Sequence, residues 1–470
     1  MMRGGLVLGL AAGTALGGVS AAVLAATRPS ATLITLQMLS VRRGWAMNTQ
    51  GQVLQTTDGG RQWTNVASRG LTRVVARAAR AGEFSLRPSP GGNLVGVDGT
   101  STVVAFPNPW TAWIVVPAGN DALQVWNTVN GGQQWTATTI PQAAPSGGGL
   151  TQVDAVGNRD AWIVAASGAL AGHVDIRVWR TSVRHPAWHI VSQGGISGTS
   201  GLAFVTGSIG VLAGGSNVYA GPNSASLAVT ANGGRSWSPT GGRLSPTTSA
   251  LPLLPGDWAT TVLAPAVVPH TREVLVPVLM NRPILPKVDP VMTWWRLEQS
   301  TNGGQTWHVL PTTPAPVLAE PPRIIFQAWT TPQDGWVVLG SRLYRTVDGG
   351  QHWSASVAPS GTVVNLNRVS VTVGFVLIQQ GARTSMYRTQ DGGRHWRRIP
   401  QAAIAGQARR AGILRQLTLG RREVEHRGGD DCVVGAQGIR DFINPPCRYP
   451  VTTRVPASVQ NFPLYLARTL

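Results

Sequence analysis

Six copies of one eight-residue phrase, Ser/Thr-x-Asp/Asn-Gly-Gly-x-x-Trp, recur along the chain. Such self-similarity points to a fold of stacked copies of one supersecondary unit. The copies are Thr56, Asp58, Gly59, Gly60, Trp63; Thr128, Asn130, Gly131, Gly132, Trp135; Thr230, Asn232, Gly233, Gly234, Trp237; Ser300, Asn302, Gly303, Gly304, Trp307; Thr346, Asp348, Gly349, Gly350, Trp353; and Thr389, Asp391, Gly392, Gly393, Trp396. Asp-Gly and Asn-Gly are strong two-residue hairpin signals, because such turns need positive φ at both central residues and an Asx side chain accepts hydrogen bonds from nearby amides. Each phrase therefore predicts a tight turn centred on Asx-Gly. The tryptophan opens the next strand and has the area to seal one unit against another. Asn stands for Asp in three copies, which keeps the turn but supplies no charged ligand or base. Asp58, Asp348 and Asp391 are accordingly read as turn formers.

A second recurring element counts the units independently. A large residue behind a small or turn-forming one opens an apolar stretch at Gly44-Trp45, Ala112-Trp113, Ala161-Trp162, Gly210-Val211, Asp257-Trp258, Gly335-Trp336 and Gly374-Phe375. Six of these pair with the phrases above, and Ala161-Trp162 pairs with a worn copy, Thr181 to Trp188, that has Val183 where Asx belongs. Before each lies a further candidate strand: Thr32–Met38, Thr102–Phe106, Leu150–Ala155, Leu202–Val205, Ala250–Leu254, Arg323–Trp329 and Val363–Val369. Four short strands in each of seven units predict an all-β chain folded as a seven-bladed β-propeller over residues 30–400. Insertions are expected at Gly70–Gly99 and Ala264–Val291, the second crowded with Pro265, Pro269, Pro277, Pro283, Pro286 and Pro290, which argue against a long helix. Little helix is expected anywhere.

The phrase resembles the Asp-box of sialidases, sortilin and the photosystem II assembly and stability factors, all β-propellers in which the box is a fold element. The layout of Gly-Trp, an apolar-x-Thr strand, then Asp-Gly-Gly-x-x-Trp, clearest from Gly335 to Trp353 and from Gly44 to Trp63, is most similar to the assembly-factor group. That resemblance implies a non-catalytic role, holding partner membrane-protein subunits in part through an Arg-rich surface. The sialidase resemblance implies a triad of arginines, a Tyr–Glu nucleophile pair and an Asp acid/base. The chain lacks that family's Phe-Arg-Ile-Pro segment, of which Arg323-Ile324-Ile325 is a poor echo in the wrong blade.

Charge narrows the partners. The formal net charge is +19, and of 39 basic residues only Lys287 is lysine. An anionic cell-envelope surface or a protein partner fits this balance. Nucleic acid does not, since no Arg-rich cluster interleaved with exposed aromatics is visible. Residues 1–28 read as a signal peptide or N-terminal membrane anchor: Arg3 precedes an uncharged stretch from Gly4 to Ala26, with small residues at Ala22, Ala25 and Ala26 for cleavage. Without a following Cys, lipoprotein anchoring is not expected, and the propeller should lie outside the cytoplasm. Residues 401–470 form a basic, non-repeat C-terminal extension. There Ile404, Ala408, Ala411, Leu414 and Leu417 recur at helical spacing beside Arg409, Arg410 and Arg415, the candidate contacts to an anionic surface. Cys432 and Cys447, the only cysteines, are expected to form a disulfide in an exported protein.

No catalytic, cofactor or metal site emerges. Glycoside hydrolysis needs two opposed carboxylates, and the acids outside the boxes, Asp154, Asp160, Asp257, Glu273, Glu298 and Asp334 among them, announce no such pair. The histidines form no metal-spaced cluster. Trp126, Trp179, Tyr344 and Tyr387 each stand two residues before a phrase's Thr and are expected to pack between blades, whereas Trp110, Trp294, Trp295 and Trp329 are free of that constraint and could stack on a sugar. The expected function is a non-enzymatic binding propeller. The alternative is a glycan-acting hydrolase or lectin of sialidase-like fold.

Overall fold

The computed structural model describes residues 32–80, 87–88, 94–95, 102–119, 121–143, 149–158, 160–166, 176–182, 185–193, 201–214, 226–239, 258–283, 291–310, 325–339, 342–381 and 383–400. The N-terminal apolar segment, Cys432, Cys447, Arg409, Arg410 and Arg415 lie outside them.

Seven antiparallel sheets follow one another along the chain, spanning residues 33–65, 103–140, 149–193, 201–239, 258–309, 325–356 and 362–398. Each is a meander of four consecutive strands, and the fifth carries one short extra strand, Ala266–Val267. This is a seven-bladed β-propeller. In blade one the strands are Leu33–Met38, Gly44–Asn48, Val53–Thr56 and Thr64–Asn65, the first innermost. The second strand starts at the small residue of Gly44-Trp45, which pairs with the phrase's Thr56; Ala112, Ala161, Gly210, Gly335 and Gly374 likewise pair with Thr128, Thr181, Thr230, Thr346 and Thr389.

A propeller buries little inside any one blade, so its core lies between blades. Seven separate apolar clusters occupy the seven interfaces, and each is sealed by one tryptophan from the same place in the repeat. Trp135, Trp188, Trp237, Trp307, Trp353 and Trp396 each reach back to the preceding blade, and Trp63 of blade one reaches Phe375, Leu377 and Met386 of blade seven. Trp188 keeps this role although blade three has no Asx-Gly-Gly loop, its third strand ending at Ser182 and its fourth opening at His185. Trp126, Trp179, Tyr344 and Tyr387 join the same interfaces.

Among the described residues no strand is exchanged between the first and last blades, and side chains join them. The Asn367 side-chain oxygen accepts from the Met38 amide at 3.0 Å, and the Thr384 hydroxyl donates to the Leu33 carbonyl at 2.6 Å. Neighbouring inner strands are stitched the same way elsewhere. Gln152 of blade three donates to Leu202 O and accepts from Leu202 N, Asp154 accepts from Phe204 N at 2.7 Å, and Gln327 of blade six donates to Ala264 O and Leu275 O. Each stitch gives a backbone group a side-chain partner from the neighbouring blade.

Two expectations change. Blade five has Trp258–Val262 as its first strand and Val274–Pro283 as its second, so Asp257-Trp258 does not open the second strand, and part of the supposed insertion is a strand. Val274 pairs with Ser300, the position that a glycine or alanine holds in the six other blades. Prolines misled the reading: Pro277 cannot donate, yet its carbonyl still accepts from Leu263 N at 2.8 Å. The insertion after blade one contains a helix, α1, Arg69–Arg80. Ser68 caps it through its hydroxyl to Leu71 N, while Leu71, Val75 and Ala78 enter the interface between blades one and two. Arg69, Arg73 and Arg77 remain exposed along its outer side. The helix covers Gly51, in the turn between the second and third strands, where a Cβ would meet the Ala76 amide nitrogen at 2.6 Å. It therefore lies at the end of blade one opposite the Asx turns.

Candidate binding face at the Asx-turn end

In all six phrases the turn is one hydrogen-bonded device. The Thr56 hydroxyl donates to Asp58 Oδ1 and accepts from Gly60 N, each at 2.9 Å, while Asp58 Oδ1 accepts from Arg61 N and Gln62 N at 3.0 Å. Thr128 with Asn130 and Gly132, Thr230 with Asn232 and Gly234, Ser300 with Asn302 and Gly304, Thr346 with Asp348 and Gly350, and Thr389 with Asp391 and Gly393 repeat it. The two residues at positive φ are the paired glycines, Gly59 at 80° and Gly60 at 90°, and not Asx-Gly. The Asx residue keeps ordinary φ so that its oxygen can take the amide four residues on, which moves the left-handed pair onto residues without a Cβ. A Cβ on Gly60 would also meet Met386 Cε at 2.7 Å. The carboxylates are committed to this work. That of Asp348 is held down to about 2, foremost by the His352 amide, with the His352 ring and Thr346 hydroxyl assisting against desolvation. His352 and His395 themselves are exposed.

The first glycine amide ties this turn to the loop joining the first two strands of its own blade. Gly59, Gly131, Gly233, Gly303, Gly349 and Gly392 donate to the carbonyls of Arg42, Trp110, Ser208, Arg272, Gln333 and Thr372 at 2.8–2.9 Å. In six of the blades two loops are thus locked together at one end, a rigid platform for whatever side chains they display.

Beneath the turns runs an acid–arginine system that sequence reading missed. The residue before the phrase's Thr is Arg180 in blade three, Arg345 in blade six and Arg388 in blade seven. Arg180 pairs with Asp160 at 2.9 Å and lies 5.3 Å from the Trp162 ring centroid. Arg345 pairs with Asp334 at 2.9 Å, and Asp334 also binds Arg368, whose guanidinium is fully buried 4.3 Å from the Trp336 ring centroid. Each such arginine also underlies the next blade's turn, leaving no room for a Cβ at Gly233 over Arg180 or at Gly392 over Arg345. Aligning the phrases one residue further back, with the residue before each Gly-Trp element, would have revealed these pairs.

Large apolar side chains also stand exposed on this platform. Val41 and Val371 lie in first-to-second strand loops, Val129 and Val347 lie inside the Asx turns, and Trp110 is 56% exposed beside Gly131. Among the described residues only Ile190 and Val357 are comparably exposed, and they lie at the outer strands of blades three and six. Around Trp110 and Val41 are the exposed Arg42, Arg43 and Arg61, with the Arg43 guanidinium 6.0 Å from the Trp110 ring centroid.

No protein-family model and no curated protein matches the chain. Among solved structures it is similar to YCF48 bound to D1 peptide, at 17% identity and a TM-score of 0.43 over 77% of this chain and 93% of that one. It is also similar to YCF48 from Cyanidioschyzon merolae, at 13% identity and a TM-score of 0.41 over 77% and 95%. A third is a GH74 enzyme of Niastella koreensis, at 12% identity and a TM-score of 0.30 over 79% and 57%. At these values the likenesses assign neither activity nor partner.

Of the other residues singled out, Trp329 is buried at an interface and bonds Gln327, while the side chains of Trp294 and Trp295 lie outside the described residues, as do Asp257 and Arg323. Glu298 is buried against Arg296 at 2.6 Å, and Glu273 accepts from Gln299. Among the described residues no three His, Cys, Asp or Glu side chains come together as a metal site, and no helix is long and apolar enough to cross a membrane.

Proposed function

We propose that this chain is a non-enzymatic β-propeller that holds a protein partner on its Asx-turn end, a scaffold of the kind the Asp-box resemblance to photosystem II assembly factors implies. The observation that carries the reading is the gathering of Val41, Trp110, Val129, Val347 and Val371 with Arg42, Arg43 and Arg61 on loops locked by the glycine amides. Aromatic and arginine side chains around exposed apolar area are what protein interfaces enrich, whereas a purely electrostatic contact with an anionic surface needs no apolar component. The commitment of the described carboxylates to turns and partners, Asp121 apart, favours binding over hydrolysis. Export or membrane tethering through residues 1–28 is part of the proposal and follows from the apolar run Gly4–Ala26.

The test compares capture from solubilised envelope fractions by three proteins: the wild type, the double variant Trp110→Ala/Arg43→Glu, and Arg73→Glu/Arg77→Glu on α1 at the opposite end. A partner retained by the wild type and the helix variant but lost by the face variant supports the reading. A partner indifferent to the face variant, or lost only with the helix variant, overturns it.

A further inference from the structure

Arg388 of blade seven stands where Arg180 and Arg345 stand in their blades, but its acid is missing. In blades three and six the acid is the residue before the second strand's small residue, Asp160 or Asp334, and the same place in blade seven is Val373. The equivalence is also in the backbone, since Thr330 N donates to Asp334 O as Val369 N donates to Val373 O. Much else about the position is kept. The Arg388 guanidinium lies 5.8 Å from the Phe375 ring centroid, as Arg180 lies over Trp162, and it underlies the next turn more loosely than its counterparts do, 3.7 Å from where a Cβ on Gly59 would stand. Among the described residues no carboxylate forms an ion pair with it, and its buried Nε–H, like that of Arg345, has no hydrogen-bond partner. Exposed Arg61 adds a like charge, and desolvation together with that neighbour pushes the Arg388 pKa down. Asp58, in the turn that Arg388 underlies, is occupied by the Thr56 hydroxyl and the Arg61 and Gln62 amides.

We propose that Arg388 and Arg61 form a carboxylate-binding site on the Asx-turn end between blades seven and one, in which an acidic side chain or chain terminus of the protein partner takes the place that Asp160 and Asp334 hold inside blades three and six. One carboxylate oxygen at 2.9 Å is what this guanidinium position receives in blades three and six, and a half-buried arginine makes such a charge-assisted contact stronger than an exposed one. The inference rests on the proposed protein-binding role and supplies the chemistry of one contact.

The test needs no partner. Full-length protein with arginine side chains isotopically labelled is titrated with acetate, with a blocked tripeptide carrying one Asp, with a tripeptide carrying only a free C-terminus, and with the fully amidated peptide, while the Arg388 Nε–H resonance is followed. The expected result is a saturable shift with the carboxylate probes and none with the amide; the stronger of the two peptides names the source. Val373→Asp should supply the missing acid internally, leave the melting temperature no lower, and weaken carboxylate binding about tenfold or more, the equivalent of one charge-assisted hydrogen bond. Val373→Asn should leave the site open. Should Val373→Asp fail to fold, Arg388→Gln must weaken binding to the same degree. No saturable shift in the wild type, an unchanged affinity in these variants, or an equal response to inorganic phosphate would each overturn the proposal. None of these results would alter capture through Trp110 and Arg43, so the two claims fail separately.

Discussion

Replacing Asp334 by Ala should be among the most destabilising single changes in the propeller. The carboxylate neutralises two guanidiniums: Arg368, with a side chain 0% exposed, and Arg345, at 18%. Removing it leaves the Arg368 cation in the interface between blades six and seven with only the Ser370 and Val371 carbonyls as acceptors. An uncompensated buried charge of this kind costs about 3–5 kcal/mol. Asp160 in blade three makes the same contact to Arg180, but both side chains are 20% exposed, so Asp160→Ala should cost about 1 kcal/mol or less. Equilibrium urea unfolding followed by the fluorescence of the 18 tryptophans measures both. Exchanging the pair together, Asp334→Ala with Arg368→Met, should recover most of the loss, because the charge leaves with its partner. Equal costs for Asp334→Ala and Asp160→Ala, or no recovery in the double variant, would refute burial as the cause.

Thr346→Val should cost about 1–3 kcal/mol because the buried Gly350 amide loses the Thr346 hydroxyl as an acceptor, while Thr346→Ser should be close to neutral, Ser300 already filling that role in blade five; thermal melts of both decide. Trp63→Ala should cost about 3–5 kcal/mol, as for a fully buried aromatic, and Trp353→Ala less, since Trp353 is only half-buried; equal losses on urea unfolding would contradict this. Asp154, pushed up to about 6 by burial against the help of the Phe204 and Ala155 amides, holds its proton more tightly folded than unfolded. Its contribution is therefore complete below about pH 4 and declines by at most about 3 kcal/mol as pH rises to 6. Asp154→Asn should flatten that decline in unfolding free energy measured across pH, and an unaltered profile would count against it.

Blade number and the position of each interface tryptophan were legible because the interval from the phrase's Thr or Ser to its Trp is the same in every repeat and a small residue opens a strand before most of them. Blade five was misread because its second strand opens with Val274-Leu275 in place of a Gly-Trp pair, and its Pro277 mimics a loop. The helix Arg69–Arg80 hid in an insertion where arginine repeats every fourth residue and Leu71, Val75 and Ala78 are its only buried apolar side. The turn geometry was half legible: the phrase announces a turn, but the placement of positive φ on Gly59 and Gly60 depends on what the Asp58 oxygen binds, which spacing alone does not specify. The binding face was least legible, since Arg43 meets Trp110 only when blades one and two pack, and Arg388 meets the Gly59 turn only when blade seven packs on blade one.

The most direct test of the account is site-specific photo-crosslinking in the native envelope, with a photoreactive residue placed in turn at Trp110, Val129 and Val371 on the Asx-turn end and at Gln50, Arg73 and Arg77 on the other. The account predicts one discrete protein adduct from the first three positions and none from the last three. Adducts only from the α1 end, or adducts to lipid or glycan from the Asx-turn end with no protein among them, would contradict it.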